Sequence, residues 1–178
     1  MLTIRPMTAS DDFRAVAQVY ADSWKHAYKG LVPQRYLDKL SPESWIGLLR
    51  AAPESNWIAL EDDRIIGTAF VSFARDEQRE GFGEIVGLYL LPEAIGKGYG
   101  RPLWQAAVEH CRQQGLCGVC LWVLDGNTHA CRFYQRMGMQ PSGRCKTEAI
   151  GGEMLPLTEY ILWLEETSLT QDQGVERL

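Results

Sequence analysis

Residues 84–115 constrain this chain more than any other stretch. Ile85, Val86, Leu88, Tyr89, Leu90 and Leu91 form an apolar run closed by Pro92. A short run that is apolar without alternation predicts a central strand covered on both faces. Three glycines then alternate, Gly96, Gly98 and Gly100, with Lys97 between the first two. Leu103, Ala106, Ala107, His110 and Cys111 follow at helical spacing, and Gly115 ends that helix. Val119–Leu124 reads as a second buried strand. Strand, loop, helix and strand in this order predict a parallel pair with a right-handed crossover. The glycine loop therefore lies where a helix start presents bare N–H groups and positive dipole. Without Cβ atoms those amides can approach a ligand closely, and phosphate is what such a loop binds best. Lys97 and Arg101 add positive charge.

The flanking segments supply the rest of one α/β unit. Leu2–Arg5 is a short strand candidate. Ser10, Asp11 and Asp12 offer capping oxygens to a helix whose apolar face is Phe13, Val16, Ala17, Tyr20 and Trp24. Gly30-Leu31-Val32-Pro33 breaks it. A second helical piece runs from Gln34 to Leu40. Ser41-Pro42-Glu43 opens a third helix, with a capping hydroxyl and a buried stripe of Trp45, Leu48 and Leu49. Trp57–Leu60 and Ile65–Phe73 read as strands joined by the turn Glu61-Asp62-Asp63-Arg64. Arg75–Gly83 reads as an exposed loop before a strand starting at Glu84. Asn127 or Thr128 caps a short helix ended by Gly138, and two late strands are expected near Lys146–Ile150 and Glu159–Leu164. We expect one domain over residues 1–166 and a polar tail over 167–178.

Composition and spacing exclude several functions. The 178 residues carry a net charge of −5, which argues against nucleic acid as partner. No apolar run approaches a membrane span, and Met1–Pro6 lacks the pattern of a signal peptide, so a cytoplasmic protein is expected. Five cysteines, an odd number, point to reduced thiols. Cys117 and Cys120 have C-x-x-C spacing, but no second ligand pair completes a metal site, so no metal is expected. A P-loop requires Ser or Thr after the Gly-Lys pair, where Gly98 stands. The dinucleotide fingerprint begun at Gly96 requires glycine at Arg101. Of the three histidines, His110 reads as a packing or surface residue, His129 as exposed and His26 as solvated near the acceptor side.

Ile95-Gly96-Lys97-Gly98-Tyr99-Gly100 resembles the loop Q/R-x-x-G-x-G/A of the GNAT superfamily of acetyl-CoA-dependent N-acetyltransferases, with Ile95 in place of the leading Gln or Arg. A second block, Asn127 to Met139, resembles the same family's N-x-x-A-x-x-F-Y-x-x-x-G-F/M through Asn127, Ala130, Phe133, Tyr134, Gly138 and Met139. The order of elements agrees over residues 2–164. The resemblance implies a mixed, mostly antiparallel sheet with a splayed central parallel pair and flanking helices. It implies acetyl-CoA as cosubstrate, with Ile95–Arg101 on its pyrophosphate, the Leu88 N–H on the thioester carbonyl, and the Leu90 backbone and Asn127 on the pantetheine arm. Tyr134 is implied as proton donor to the leaving thiolate and Glu84 as the base that takes the amine's proton.

The acceptor implied is an amine of a small molecule or a peptide. Trp24, Tyr28 and Glu84 are its candidate contacts; Glu84 and Glu80 would suit a cationic group, and Trp45 reads as core. Amino acid, polyamine, antibiotic and peptide N-terminus remain open. The family often forms homodimers through its late strands, which this sequence permits. A non-catalytic acetyl-CoA sensor on the same fold and a nucleotide-binding regulator are the competing readings.

Overall fold

The computed structural model describes residues 1–164; the expected tail over 167–178 lies outside the described residues. Seven strands form one sheet in the order β1-β2-β3-β4-β5-β7-β6. They span Leu2–Pro6 (β1), Asn56–Glu61 (β2), Arg64–Phe73 (β3), Phe82–Leu90 (β4), Gly118–Leu124 (β5), Gln140–Ile150 (β6) and Glu153–Trp163 (β7). Only β4 and β5 pair in parallel. The helices are Phe13–Ala27 (α1), Gln34–Leu37 (α2), Glu43–Ala51 (α3), Gly100–Gln113 (α4) and Thr128–Arg136 (α5).

Local chemistry accounts for these boundaries. Asp12 caps α1 by accepting from the N–H groups of Arg14 and Ala15. The β2–β3 turn puts Asp62 and Asp63 at positive φ, the pair of left-handed residues that a tight hairpin turn demands. Helix α4 crosses one face of the sheet, where Leu103, Ala107 and Cys111 meet Ile85, Val119, Leu121 and Val123. It packs closest at Gly83, where a Cβ would come within 2.5 Å of the Cys111 sulfur. Helix α1 covers the opposite face, with Val16, Ala17 and Tyr20 packed on Met7, Leu49 and Ile58.

Several expectations need correction. Leu48 is 68% exposed; Trp45, Ile46 and Leu49 make the inward stripe of α3 instead. That helix begins with no side-chain cap, so the Ser41 hydroxyl does not serve it. Helix α2 stops at Leu37. Strands β6 and β7 are each about twice the expected length. Pro141, Pro156 and the polar run of β6 hid them, because β6 is an edge strand with little to bury. Strand β4 begins at Phe82, so Glu84 lies inside it and is 4% exposed. The segment before it is not free: Arg79 donates to Glu159, and Arg144 bridges Glu159 and Asp76.

Candidate functional site

The parallel pairing of β4 with β5 covers three positions only, ending at Glu84↔Cys120. One residue beyond Ile85 the β3–β4 register slips, from Val71↔Ile85 to Phe70↔Gly87, leaving Val86 as the extra residue of a bulge. A bulge bends and overtwists its strand, and here β4 leaves β5 as it passes Val86. The resulting gap is a cavity of about 900 Å³, lined by residues 85–90 of β4 and 121–124 of β5.

Ladder parity decides which backbone groups face this gap. The Leu91 N–H donates to the Ile66 carbonyl at 2.8 Å. That bond flanks Gly67↔Leu90, which is therefore a non-bonded pair, and by alternation so is Ala69↔Leu88. The N–H and C=O of Leu88 and Leu90 consequently point away from β3, towards the gap. Ser23 of α1 donates to the Leu90 carbonyl at 2.7 Å, on the side opposite β3.

The glycine loop closes one end of the cavity. Gly96 and Gly98 have φ of 83° and 87°, backbone that L side chains rarely adopt, and a Cβ at either would meet nothing within 4 Å. The demand for glycine is thus conformational. Among the described residues, no backbone carbonyl accepts from the amides of residues 96–101. Ile95, Gly96, Gly98, Gly100 and Arg101 line the cavity. The Lys97 and Tyr99 side chains do not: Lys97 lies 4.0 Å from Glu61, and the Tyr99 hydroxyl donates to the same carboxylate. Arg136 of α5 adds a second guanidinium to the lining, one that sequence reading missed because it lies outside the glycine loop.

Tyr134 lines the cavity and packs edge-on against Phe133, with Trp104 beyond at 5.6 Å. Burial pushes its phenol far above the ordinary range, so it stays protonated at neutral pH. Asn127 caps α5, its Oδ1 accepting from the Ala130 N–H at 3.2 Å, and it also lines the cavity. Tyr28 does likewise, but Trp24 does not. Trp24 is half-buried and packs against the core, beside Tyr28 at 4.6 Å and Trp45 at 6.2 Å.

Glu84 lies off the cavity lining, one bulge below Val86. Arg75 grips it through Nε–Oε2 at 3.0 Å and Nη2–Oε1 at 2.6 Å, and the Arg75 N–H donates to it at 3.2 Å. Burial opposes its charge, but the Arg75 hydrogen bonds outweigh that cost and hold its carboxyl below the ordinary value. The sequence offered no sign of Arg75, because the contact exists only once residues 74–81 fold back over the sheet.

The sequence profile of the Acetyltransferase (GNAT) family matches residues 14–139. An uncharacterized N-acetyltransferase of Bacillus subtilis, YuaI, is 29% identical over 137 residues, covering 76% of this chain and 78% of that protein. A mycothiol acetyltransferase of Streptomyces avermitilis is 30% identical over 138 residues, 77% of this chain but 42% of that protein, so the chain spans less than half of that relative. Among solved structures, the PaiA N-acetyltransferase of Thermoplasma acidophilum in complex with coenzyme A superposes with a TM-score of 0.66 at 23% identity. That superposition covers 89% of this chain and 98% of that one, a likeness of fold. A parallel pair that parts at a bulge, a glycine loop with free amides at the end of the opening, and a profile match spanning both make one conclusion: this chain belongs to the GNAT acetyltransferase family.

Proposed function

We propose that the protein is an acetyl-CoA-dependent N-acetyltransferase acting on a primary amine of a small molecule or peptide, by direct attack in a ternary complex. The observation that carries this reading is the cradle of unpaired amides over residues 96–101, opening on a gap into which Leu88 and Leu90 turn their backbone groups. Those amides, with Arg101 and Arg136, fit a diphosphate by hydrogen bond and charge. Leu90 and the spare amide nitrogen of Asn127 suit the amide-bearing arm. Acetyl-CoA supplies an activated thioester, whose C–S bond is exchanged for a C–N bond to the amine.

Each remaining task falls to a residue of this chain. The Leu88 N–H, held by the sheet, is oriented to stabilise negative charge developing on the carbonyl oxygen. Tyr134 keeps its proton and gives it to the departing sulfur. A primary ammonium titrates near ~10 and must lose a proton before it attacks. Glu84, ionised, attracts that ammonium and takes up its proton through water, since it lies off the cavity wall. A cytoplasmic setting fits the five free thiols, two of them buried.

Acetyl-CoA, CoA, ATP and NAD compared in one thermal-shift series test the cradle; stabilisation by the first two only is expected, and stabilisation by ATP or NAD alone would remove this reading. Thiol release across an amine panel then tests turnover. The grip of Arg75 on Glu84 is the one feature favouring a non-catalytic sensor, which would bind acetyl-CoA and release no thiol with any amine.

A further inference from the structure

Leu88 and Leu90 give the gap one free strand edge, and β5 gives it a second. The Leu164 N–H donates to the Cys117 carbonyl at 3.0 Å, and the Asp125 N–H to the Pro156 carbonyl at 2.9 Å. Those bonds flank Gly118↔Trp163 and Leu124↔Leu157, which are therefore non-bonded pairs, and by alternation so is Trp122↔Glu159. The N–H and C=O of Trp122 consequently point away from β7, towards β4. Pairing with β4 has already ended at Glu84↔Cys120, and neither group has another backbone partner among the described residues. The next residue turned this way, Leu124, differs, because its carbonyl accepts from the Asn127 N–H at 3.0 Å. Trp122 thus carries an unpaired donor and an unpaired acceptor into the cavity that it lines. It is the first gap-facing residue of β5 beyond the pairing, as Leu88 is the first of β4 beyond the Val86 bulge. The two free edges face each other where the strands part.

Charge narrows what can meet the Trp122 edge. Among the described residues no Asp, Glu or Lys lines the cavity, and its permanent charges are Arg101 and Arg136, which suit the diphosphate. Glu84 lies off the wall in the grip of Arg75, while the Arg144 and Lys146 cations stand 5.7 Å and 4.6 Å from the centre of the Trp122 ring. An ammonium at Trp122 would meet like charge and no carboxylate. A neutral amine fits: one N–H donates to the Trp122 carbonyl, and the lone pair stays free for the thioester at Leu88. Weak basicity favours that form. An α-amine beside an amide carbonyl titrates at about 8, against about 10.4 for an alkyl amine such as lysine's, so at pH 7 it is neutral roughly 300 times more often. Its carbonyl also has the right spacing. An aminoacyl residue and Trp122 can exchange both bonds, as opposed residues do in an antiparallel ladder.

On the acetyl-transfer reading above, we propose that the acceptor is an α-amino amide, the head of an aminoacyl compound or peptide, whose amine and adjacent carbonyl pair with the main chain of Trp122. The amine nitrogen forms the C–N bond as the C–S bond breaks, CoA leaves as the thiol, and the amine's surplus proton passes through water towards Glu84. A free amino acid fits less well, because its carboxylate holds the amine in the charged form. A polyamine has neither the carbonyl nor the low basicity.

The test is thiol release from acetyl-CoA at pH 7 with L-amino acid amides, the matching free acids, decarboxylated amines and tripeptides. An analogue with a difluoromethyl group in place of the carboxamide keeps the amine weakly basic and removes the carbonyl. The best α-amino amide should exceed its decarboxylated amine at least 100-fold in kcat/KM, and its free acid and difluoromethyl analogue at least tenfold each. Tripeptides turned over better than single amides assign a peptide N-terminus; the reverse assigns a small aminoacyl compound. Alkyl amines or free acids turned over as well as the amides would overturn the proposal. A difluoromethyl analogue equal to its amide would overturn the carbonyl contact. Calorimetric binding of acetyl-CoA with no amide accepted would also overturn the proposal, whereas failure to bind acetyl-CoA at all would overturn the cofactor reading itself.

Discussion

Gly98→Ala isolates what the glycine loop contributes. Gly98 has φ of 87°, and a Cβ there meets no protein atom within 4 Å. In the free protein the methyl group therefore costs backbone strain only, about 1–2 kcal/mol for left-handed conformation in an L residue. How that strain appears depends on what holds the loop. No backbone carbonyl among the described residues accepts from the amides of residues 96–101, so the free protein can relax the loop at little cost. Binding a diphosphate then has to restore it. The strain should thus appear in affinity, with acetyl-CoA bound about 5- to 30-fold more weakly, since 1.4 kcal/mol is tenfold. Gly115→Ala is the control. Its φ is 71°, a Cβ there is equally unobstructed, and the cavity is elsewhere. Gly115 ends α4, its N–H bonded to the Arg112 carbonyl, so relaxation there would break the helix terminus. Its strain should appear as a lower Tm with unchanged affinity. Calorimetric titration with acetyl-CoA and a melting curve on each variant suffice. Unchanged affinity in Gly98→Ala, or equal affinity losses in both variants, would refute the assignment of the loop as the diphosphate cradle.

Tyr134→Phe should lower kcat at least tenfold and leave the KM for acetyl-CoA within twofold, because only the phenolic proton is lost from a ring that stays packed on Phe133; unchanged turnover would remove Tyr134 from the chemistry. Burial disfavours the Glu84 charge, but Arg75 more than compensates, so the folded carboxyl titrates below the unfolded one. Its contribution to stability is present above the unfolded value near 4.5 and is lost as pH falls through the folded value. Melting temperatures from pH 7 downwards should therefore drop more steeply below pH ~4.5 in the native protein than in Glu84→Gln; parallel curves would mean that the ion pair is not held in solution.

The amino-acid order by itself determined the elements around the glycine loop. The apolar run before Pro92 predicts a central strand, and β4 is one, though Val86 is exposed and Leu88, Tyr89 and Leu90 are only half-buried where it borders the cavity. Tyr134 and Asn127, whose spacing a short motif sets, both border the cavity, one on α5 and one as its cap. Tertiary structure decided the acceptor side. Trp24 turns to Tyr28, one turn on at the end of α1, and to Trp45, which only the fold brings from α3. Glu84 was legible as an acid on the central strand, but not as half of an ion pair. Its burial depends on where β4 begins, and its charge state depends on Arg75, nine residues earlier on a loop whose path no local pattern specifies. Lys146 meets Trp122 only because β7 carries β6 to that side of the sheet. Hydrophobic period and turn chemistry act over a few residues and can be read in order. Long-range electrostatic pairing acts through space, and only the assembled sheet brings those charges together.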